Sequence, residues 1–208
     1  MTWIKTIAYG DAAGKLKSIY DRVKGPGNTV DNILVAHSLR PHTLEGHMTL
    51  YKYVLHHPAN TLPKWLLEAV GVYVSLLNKC RYCVSHHQAG LDRLLSDEKK
   101  AVAIRDALEK GTPAAASGDL SERDIAALEY AKLLTVAPAD VTHLTLDKLR
   151  AAGLDDGEIL EVNQVVAYFS YANRTVLGLG INTDGEVVGL SPTSKPGAQD
   201  NPDDWSHG

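Results

Sequence analysis

The chain is poor in sulfur and in large rings: its 208 residues hold two cysteines, two methionines, three tryptophans and one phenylalanine. Positive charge is also scarce, with a formal net charge of −4 and no clustered Lys or Arg, which argues against a nucleic-acid partner. No apolar run approaches the roughly 20 residues a helix needs to cross a bilayer, so no membrane contact is expected. The start, Met1-Thr-Trp-Ile-Lys-Thr-Ile-Ala-Tyr-Gly10, lacks a long apolar core and reads as neither signal peptide nor anchor. A cytoplasmic location in a reducing compartment is therefore expected, where two neighbouring cysteines mean redox chemistry or metal binding. There is no fixed-period repeat and no strand-rich region.

What is there is helical periodicity. Asp11–Val23 reads as an amphipathic helix ending at Gly25-Pro-Gly27, followed by a short one over Asp31–Ser38. Pro41–His56 places Leu44, Met48, Tyr51 and Leu55 on one face at three-and-four spacing. Pro63 suits the first turn of an apolar helix that runs to Leu77, and Asn78-Lys79 offers a break before a helix through Leu95. Ser96-Asp-Glu opens a helix that stops near Gly111, and Thr112–Gly118 is a loop. Ser121-Glu-Arg-Asp124 resembles a capping box for a helix to Val136. Leu144–Ala151 is a short helix, and Asp156–Leu177 a long one with Ile159, Val162, Val166, Phe169 and Leu177 on its apolar face. Gly178-Leu-Gly180 reads as a helix stop. The expected fold is all-α: one compact helical domain over residues 1–182, then an irregular C-terminal extension over 183–208 in which Thr183–Glu186 makes a small turn.

Both cysteines lie in Cys80-Arg-Tyr-Cys83-Val-Ser-His-His87. On a helix, positions 80, 83 and 87 share one face. A regular helix holds such Cβ atoms about 5–6 Å apart, whereas a disulfide wants about 3.5–4.5 Å, so a loosened first turn at Cys80 is required. Unpaired N–H groups in that turn, with Lys79 and Arg81 nearby, favour a thiolate. The gain from this alone is small. Lowering a thiol's pKa from about 8.5 to about 6.5 raises the ionised fraction at pH 7 from roughly 3% to roughly 75%, but reduced nucleophilicity takes back about eight-fold. An acid that protonates a departing oxygen is also needed. His87, one turn from Cys83, suits that role, and Glu68 on the preceding apolar helix can hold or recharge it.

Glu68 twelve positions before Cys80, the Cys-x-x-Cys pair and His87 four residues on together resemble the alkylhydroperoxidase D-like group of the carboxymuconolactone decarboxylase superfamily. The stretch from Glu158 to Arg174 resembles its peroxidase-related branch, and the similarity covers about residues 10 to 182. The resemblance implies an all-helical bundle, a homo-oligomer (dimer, trimer or hexamer) and hydroperoxide reduction through a Cys80–Cys83 disulfide. It assigns the peroxidatic nucleophile to Cys83, resolution and proton relay to Cys80, and proton shuttling to Glu68 and His87. No cofactor and no metal are expected, and the resemblance implies a dithiol reductant such as a lipoyl or thioredoxin-like protein. Where well-studied members carry a histidine before the second cysteine, this chain has Tyr82; His86 is the nearest substitute, about a hundred degrees round the helix from His87.

Three other readings compete. Cys80, Cys83, His86 and His87 are four zinc-ligand types, but one helix cannot turn all of them inward. A decarboxylase or isomerase would not need the cysteine pair. A non-enzymatic redox sensor or structural helical oligomer would form the disulfide without turnover. His56 or His57, and Tyr168, Tyr171 and Asn173, are candidate pocket or interface residues. Glu158 and Glu161 read as first-turn helix charges.

Overall fold

The computed structural model describes residues 2–189, and no strand occurs among them. The helices are α1 (Gly14–Val23), α2 (Asn32–Ala36), α3 (Pro41–Tyr51), α4 (Lys64–Leu77), α5 (Arg81–Leu95), α6 (Glu98–Glu109), α7 (Glu122–Val136), α8 (His143–Ala151) and α9 (Asp156–Leu179). The C-terminal residues beyond 189, which include the expected tail from Ser191, lie outside the described part.

α4 is the axis of the bundle. Every residue from Leu66 to Ser75 is buried, because the helix is apolar on all sides and α5, α7 and α9 pack around it. Gly71 sets how closely α9 approaches: a Cβ there would run into the Phe169 ring. Phe169 is fully buried at that crossing.

Local sequence signals fix most boundaries. Ser121 and Asp124 form a reciprocal capping box at α7, and Asp155 and Glu158 form another at α9. Gly180 ends α9 in the left-handed region at φ 61°. α3 does not run regularly to His56; it widens into a π-helical turn over Lys52–His56, which keeps Leu55 buried. α1 starts later than Asp11 because Tyr9–Asp11 close a separate 3₁₀ turn and Gly14 stands at φ 54°. Leu177 is 45% exposed, not part of the core face: the helical phase turns the neighbouring Val176 inward instead.

The joint between α4 and α5 shapes the cysteine pair. Cys80 N–H donates to Ser75 O (2.8 Å) and Lys79 N–H to Leu76 O (3.0 Å), the two bonds of a Schellman stop. The stop holds Lys79 left-handed at φ 58°. Cys80 is thereby both the last residue of this stop and the N-cap of α5, with φ −89° and ψ 87°.

Candidate functional site

That N-cap conformation is the loosened turn the pair requires. The Cys83 and Cys80 sulfurs lie 3.1 Å apart as hydrogen-bonded free thiols, both buried. The bond polarises them in opposite directions. Cys80 is held below the usual thiol range, first because Cys83 hydrogen-bonds to it and then because the N–H groups of Cys83 and Tyr82 favour its anion. Cys83 is pushed well above that range by the same bond and by burial, while the Asn173 amide pulls the other way. At rest Cys80 is the acidic member of the pair.

The two cysteines border different spaces, Cys80 a wider one shared with Arg81, Val176 and Ile181. Cys83, not Cys80, lines an apolar cavity of about 60 Å³ that it shares with His87, Met48, Tyr51, Tyr168 and Phe169. His87 Nδ1 is 2.7 Å from Glu68 Oε2. The acid comes from α4, is 1% exposed, and leaves its second oxygen, Oε1, buried without a hydrogen-bond partner. Phe169 meets the His87 ring edge-on at 4.6 Å between centroids, so the packing that buries α9 also fixes the imidazole. The four residues singled out in the sequence, Glu68, Cys80, Cys83 and His87, thus converge on one place.

Tyr82 and His86 also line this cavity, and both are bonded to a further carboxylate. The residues that follow α9, 182–189, lie against α5 and bring in Glu186, whose Oε1 is 3.0 Å from His86 Nε2 and whose Oε2 accepts from Tyr82 Oη (3.3 Å) and Asn32 N–H (2.6 Å). Gly189 N–H donates to His86 Nδ1 at 3.4 Å, so Nε2 carries the proton shared with Glu186. The Tyr82 hydroxyl in turn accepts from Ile33 N–H. No group of three or more His, Cys, Asp or Glu side chains is placed to hold a metal among the described residues.

Tyr168 lines the cavity, whereas Tyr171 is 40% exposed with its ring against His47. Asn173 is buried, donating to Ser75 Oγ and accepting from Asn78. Neither His56 nor His57 lines the cavity; His47 does. His47 was legible, since it stands three residues after Leu44 on the apolar face of α3, but a histidine there reads as an ordinary interior residue. Burial pushes both His47 and His56 down to about 3. Glu158 is not merely a helix-terminal charge: it is buried and paired with Arg123 as well as closing the α9 cap. Glu161 accepts from Thr61 and Leu62 N–H and ties that loop to α9.

By sequence the chain matches no family model and no curated protein. By structure it resembles an alkylhydroperoxidase D core, a peroxidase-related protein of Ralstonia eutropha JMP134, with a TM-score of 0.74 and 20% identity over 87% of this chain and 91% of that one. A peroxidase-related protein of Silicibacter sp. TM1040 gives 0.73 and 22% over the same shares, 87% and 91%. The debrominase Bmp8 gives 0.66 and 19% over 87% and 90%. The chain adopts the all-helical alkylhydroperoxidase D-like fold.

Proposed function

We propose that this protein reduces hydroperoxides with the Cys80–Cys83 dithiol. The observation that carries the reading is the placement of Cys83 in the same cavity as an imidazole held by a buried acid, with a second thiol in hydrogen-bond contact behind it. Cys83 passes its proton to Cys80 and attacks the outer oxygen of the peroxide. The O–O bond breaks, Cys83 becomes a sulfenic acid, and the departing alkoxide takes a proton from His87 to leave as an alcohol. With Nδ1 engaged by Glu68, Nε2 is the ring nitrogen that exchanges this proton. Cys80 then attacks the Cys83 sulfur, water leaves, and a disulfide remains. A dithiol partner of the lipoyl or thioredoxin-like kind takes up the two oxidising equivalents and restores both thiols.

The acidity of Cys80 is compatible with this order. Once the pair has lost one proton, moving the other across the 3.1 Å hydrogen bond transfers the charge to the sulfur that faces the cavity. The test is single turnover of reduced protein with tert-butyl hydroperoxide. Loss of two thiols per peroxide, with the sulfenic acid trapped on Cys83 in Cys80→Ser, supports the reading. A trapped adduct only on Cys80, in Cys83→Ser, reverses the assignment. Disulfide formation with no turnover against any dithiol reductant makes the protein a sensor.

A second reading is reductive removal of halogen from a small ring. The debrominase of the same fold has been captured, as a cysteine-to-alanine variant, in complex with 2,3,4-tribromopyrrole, and the rings of Tyr51, Tyr168 and Phe169 line the cavity here. The electron count is the same: a dithiol and a bromoarene give a disulfide, bromide, a proton and the debrominated ring. Bromide release from tribromopyrrole, measured beside peroxide consumption, separates the two.

A further inference from the structure

Most of the side chains that line the cavity beside Cys83 are buried. The half-buried ones are Asp31 and Ile33 at the start of α2, and His86 and His87 on α5. The mouth therefore lies between the start of α2 and one face of α5. α2 itself rests on α9, so the width of the mouth is set by how its start is tied to α5.

Glu186 makes that tie. Its side chain is 3% exposed and reaches both edges. One oxygen accepts from Asn32 N–H (2.6 Å), a group that the start of a helix leaves without an internal partner. The same oxygen accepts from Tyr82 Oη (3.3 Å), and the other meets His86 Nε2 at 3.0 Å, both on α5. Tyr82 Oη also accepts from Ile33 N–H (3.2 Å), so the carboxylate orients a phenol that itself spans the gap. The Tyr82 and His86 rings stand against each other at 4.6 Å between centroids, and Glu186 holds both by their polar ends. The segment that carries Glu186 is anchored on each side of it. Asn32 Nδ2 donates to Asn182 O (2.8 Å) and Asp184 O (3.1 Å), and Gly189 N–H reaches His86 Nδ1 (3.4 Å). Gly189 lies so close to α5 that a Cβ there would strike Ala89. Bonds to a buried carboxylate are strong because water does not compete for them, so the two edges are held while Glu186 is in place.

The space behind the mouth is small. Its volume, about 60 Å³, holds roughly four to six non-hydrogen atoms by the space a water needs. That is about the bulk of tert-butyl hydroperoxide. The ring of cumene hydroperoxide has to lie in the mouth itself, between the edges that Glu186 ties together.

Resting on the reading that Cys83 attacks a hydroperoxide, we propose that Glu186 is a positioning residue that sets substrate size. By tying the start of α2 to α5 it admits compact alkyl hydroperoxides to Cys83 and holds out those with a ring beside the peroxide group. It touches no substrate; it acts through Tyr82, His86 and the α2 backbone.

The test uses the reduced full chain. Stopped-flow thiol oxidation is expected to be at least about tenfold faster with tert-butyl than with cumene hydroperoxide, each rate taken relative to that of free cysteine. Glu186→Ala brings the ratio toward one. Asn32→Ala, which frees the segment but leaves Glu186 and the cavity wall in place, shifts it the same way by less. Equal rates in the unsubstituted protein overturn the proposal, as does a ratio that Glu186→Ala leaves unchanged. A fall of both rates by one factor, in a variant that keeps its helical circular dichroism, overturns it too. Should Glu186→Ala not fold, Asn32→Ala decides, and an unchanged ratio there overturns the proposal.

A second arm needs no peroxide. In Cys80→Ser the one remaining thiol is Cys83, and methyl and benzyl methanethiosulfonate modify it by the same displacement. The ratio of their rates, again relative to free cysteine, does not depend on how much of the thiol is ionised. Exclusion of the benzyl reagent that Glu186→Ala relieves supports the proposal. No exclusion, or exclusion that the substitution leaves untouched, overturns it. If neither hydroperoxide oxidises the thiols, the peroxidase reading fails by itself, and the thiosulfonates still decide whether Glu186 controls the way to Cys83.

Discussion

Glu68 on α4 and His87 on α5 make a 2.7 Å contact beneath the cavity that Cys83 lines. The carboxylate is buried and its other oxygen has no hydrogen-bond partner, so its hydrogen bonding is spent on the imidazole. An acid in that position acts on the ring: it fixes the tautomer and stabilises the protonated form during proton transfer.

Replacing Glu68 by Gln keeps the shape and removes the charge. The rate of thiol oxidation by tert-butyl hydroperoxide is expected to fall by about 10²-fold, the usual weight of a positioned acid or base. His87→Gln should cost a similar factor, and the double variant little more than either alone, because the two act as a unit. Additive losses in stopped-flow kinetics would mean that the residues work separately.

The acidity of Cys80 depends first on the hydrogen bond from Cys83. In Cys83→Ala that donor is gone, and the Cys80 thiol should rise back toward the ordinary range. Thiolate absorbance followed against pH measures this directly. A midpoint for Cys80 unchanged by the substitution would assign its acidity to the helix N-terminus instead.

Gly71→Ala drives a methyl group into the Phe169 ring, in a crossing with no free space. Overpacking of this kind costs about 1–3 kcal/mol, seen as a lower urea midpoint. Because Phe169 also packs on His87, peroxide reactivity should drop as well. A variant of wild-type stability and reactivity would show that α9 is less tightly seated than its contacts imply.

Two buried histidines make stability pH-dependent. His47 and His56 titrate near 6.5 when unfolded and are pushed down to about 3 by burial in the fold. Between those values the unfolded chain binds protons that the folded chain does not. Their contribution is therefore intact above pH 6.5 and is lost progressively as pH falls toward 3, by up to about 1.4 kcal/mol per pH unit for each histidine. The urea midpoint should drop between about pH 7 and pH 5, and His56→Gln should take away about half of that slope. A flat profile in this window would mean that water reaches both rings.

Several helices were legible because they are punctuated locally. Ser121 and Asp124, Pro63 and Gly180 mark ends by caps and forbidden torsions that need only neighbouring residues. The apolar face of Leu44, Met48, Tyr51 and Leu55 was legible from spacing, but not the π-helical turn at its end, which depends on what His56 and Leu55 pack against. Glu186 was invisible: it sits in a short Gly-rich polar segment with no periodicity, and its partner His86 is 100 residues away in the chain. Periodicity puts Leu177 inside where the structure puts Val176, because a long helix accumulates phase error and only the core decides which of two neighbouring apolar residues turns inward.

The amino-acid order by itself set the helical class, the break at Asn78-Lys79 that brings one sulfur toward the other, and the four side chains that meet there. These follow from short-range forces: torsion preferences, capping and the pitch of a helix. Folding in three dimensions decided which sulfur faces the cavity, that His47 lines its wall, and that a distant glutamate bonds to His86 and Tyr82 at its edge. Those outcomes depend on burial and on long-range hydrogen bonds, whose strength exists only once water has been excluded.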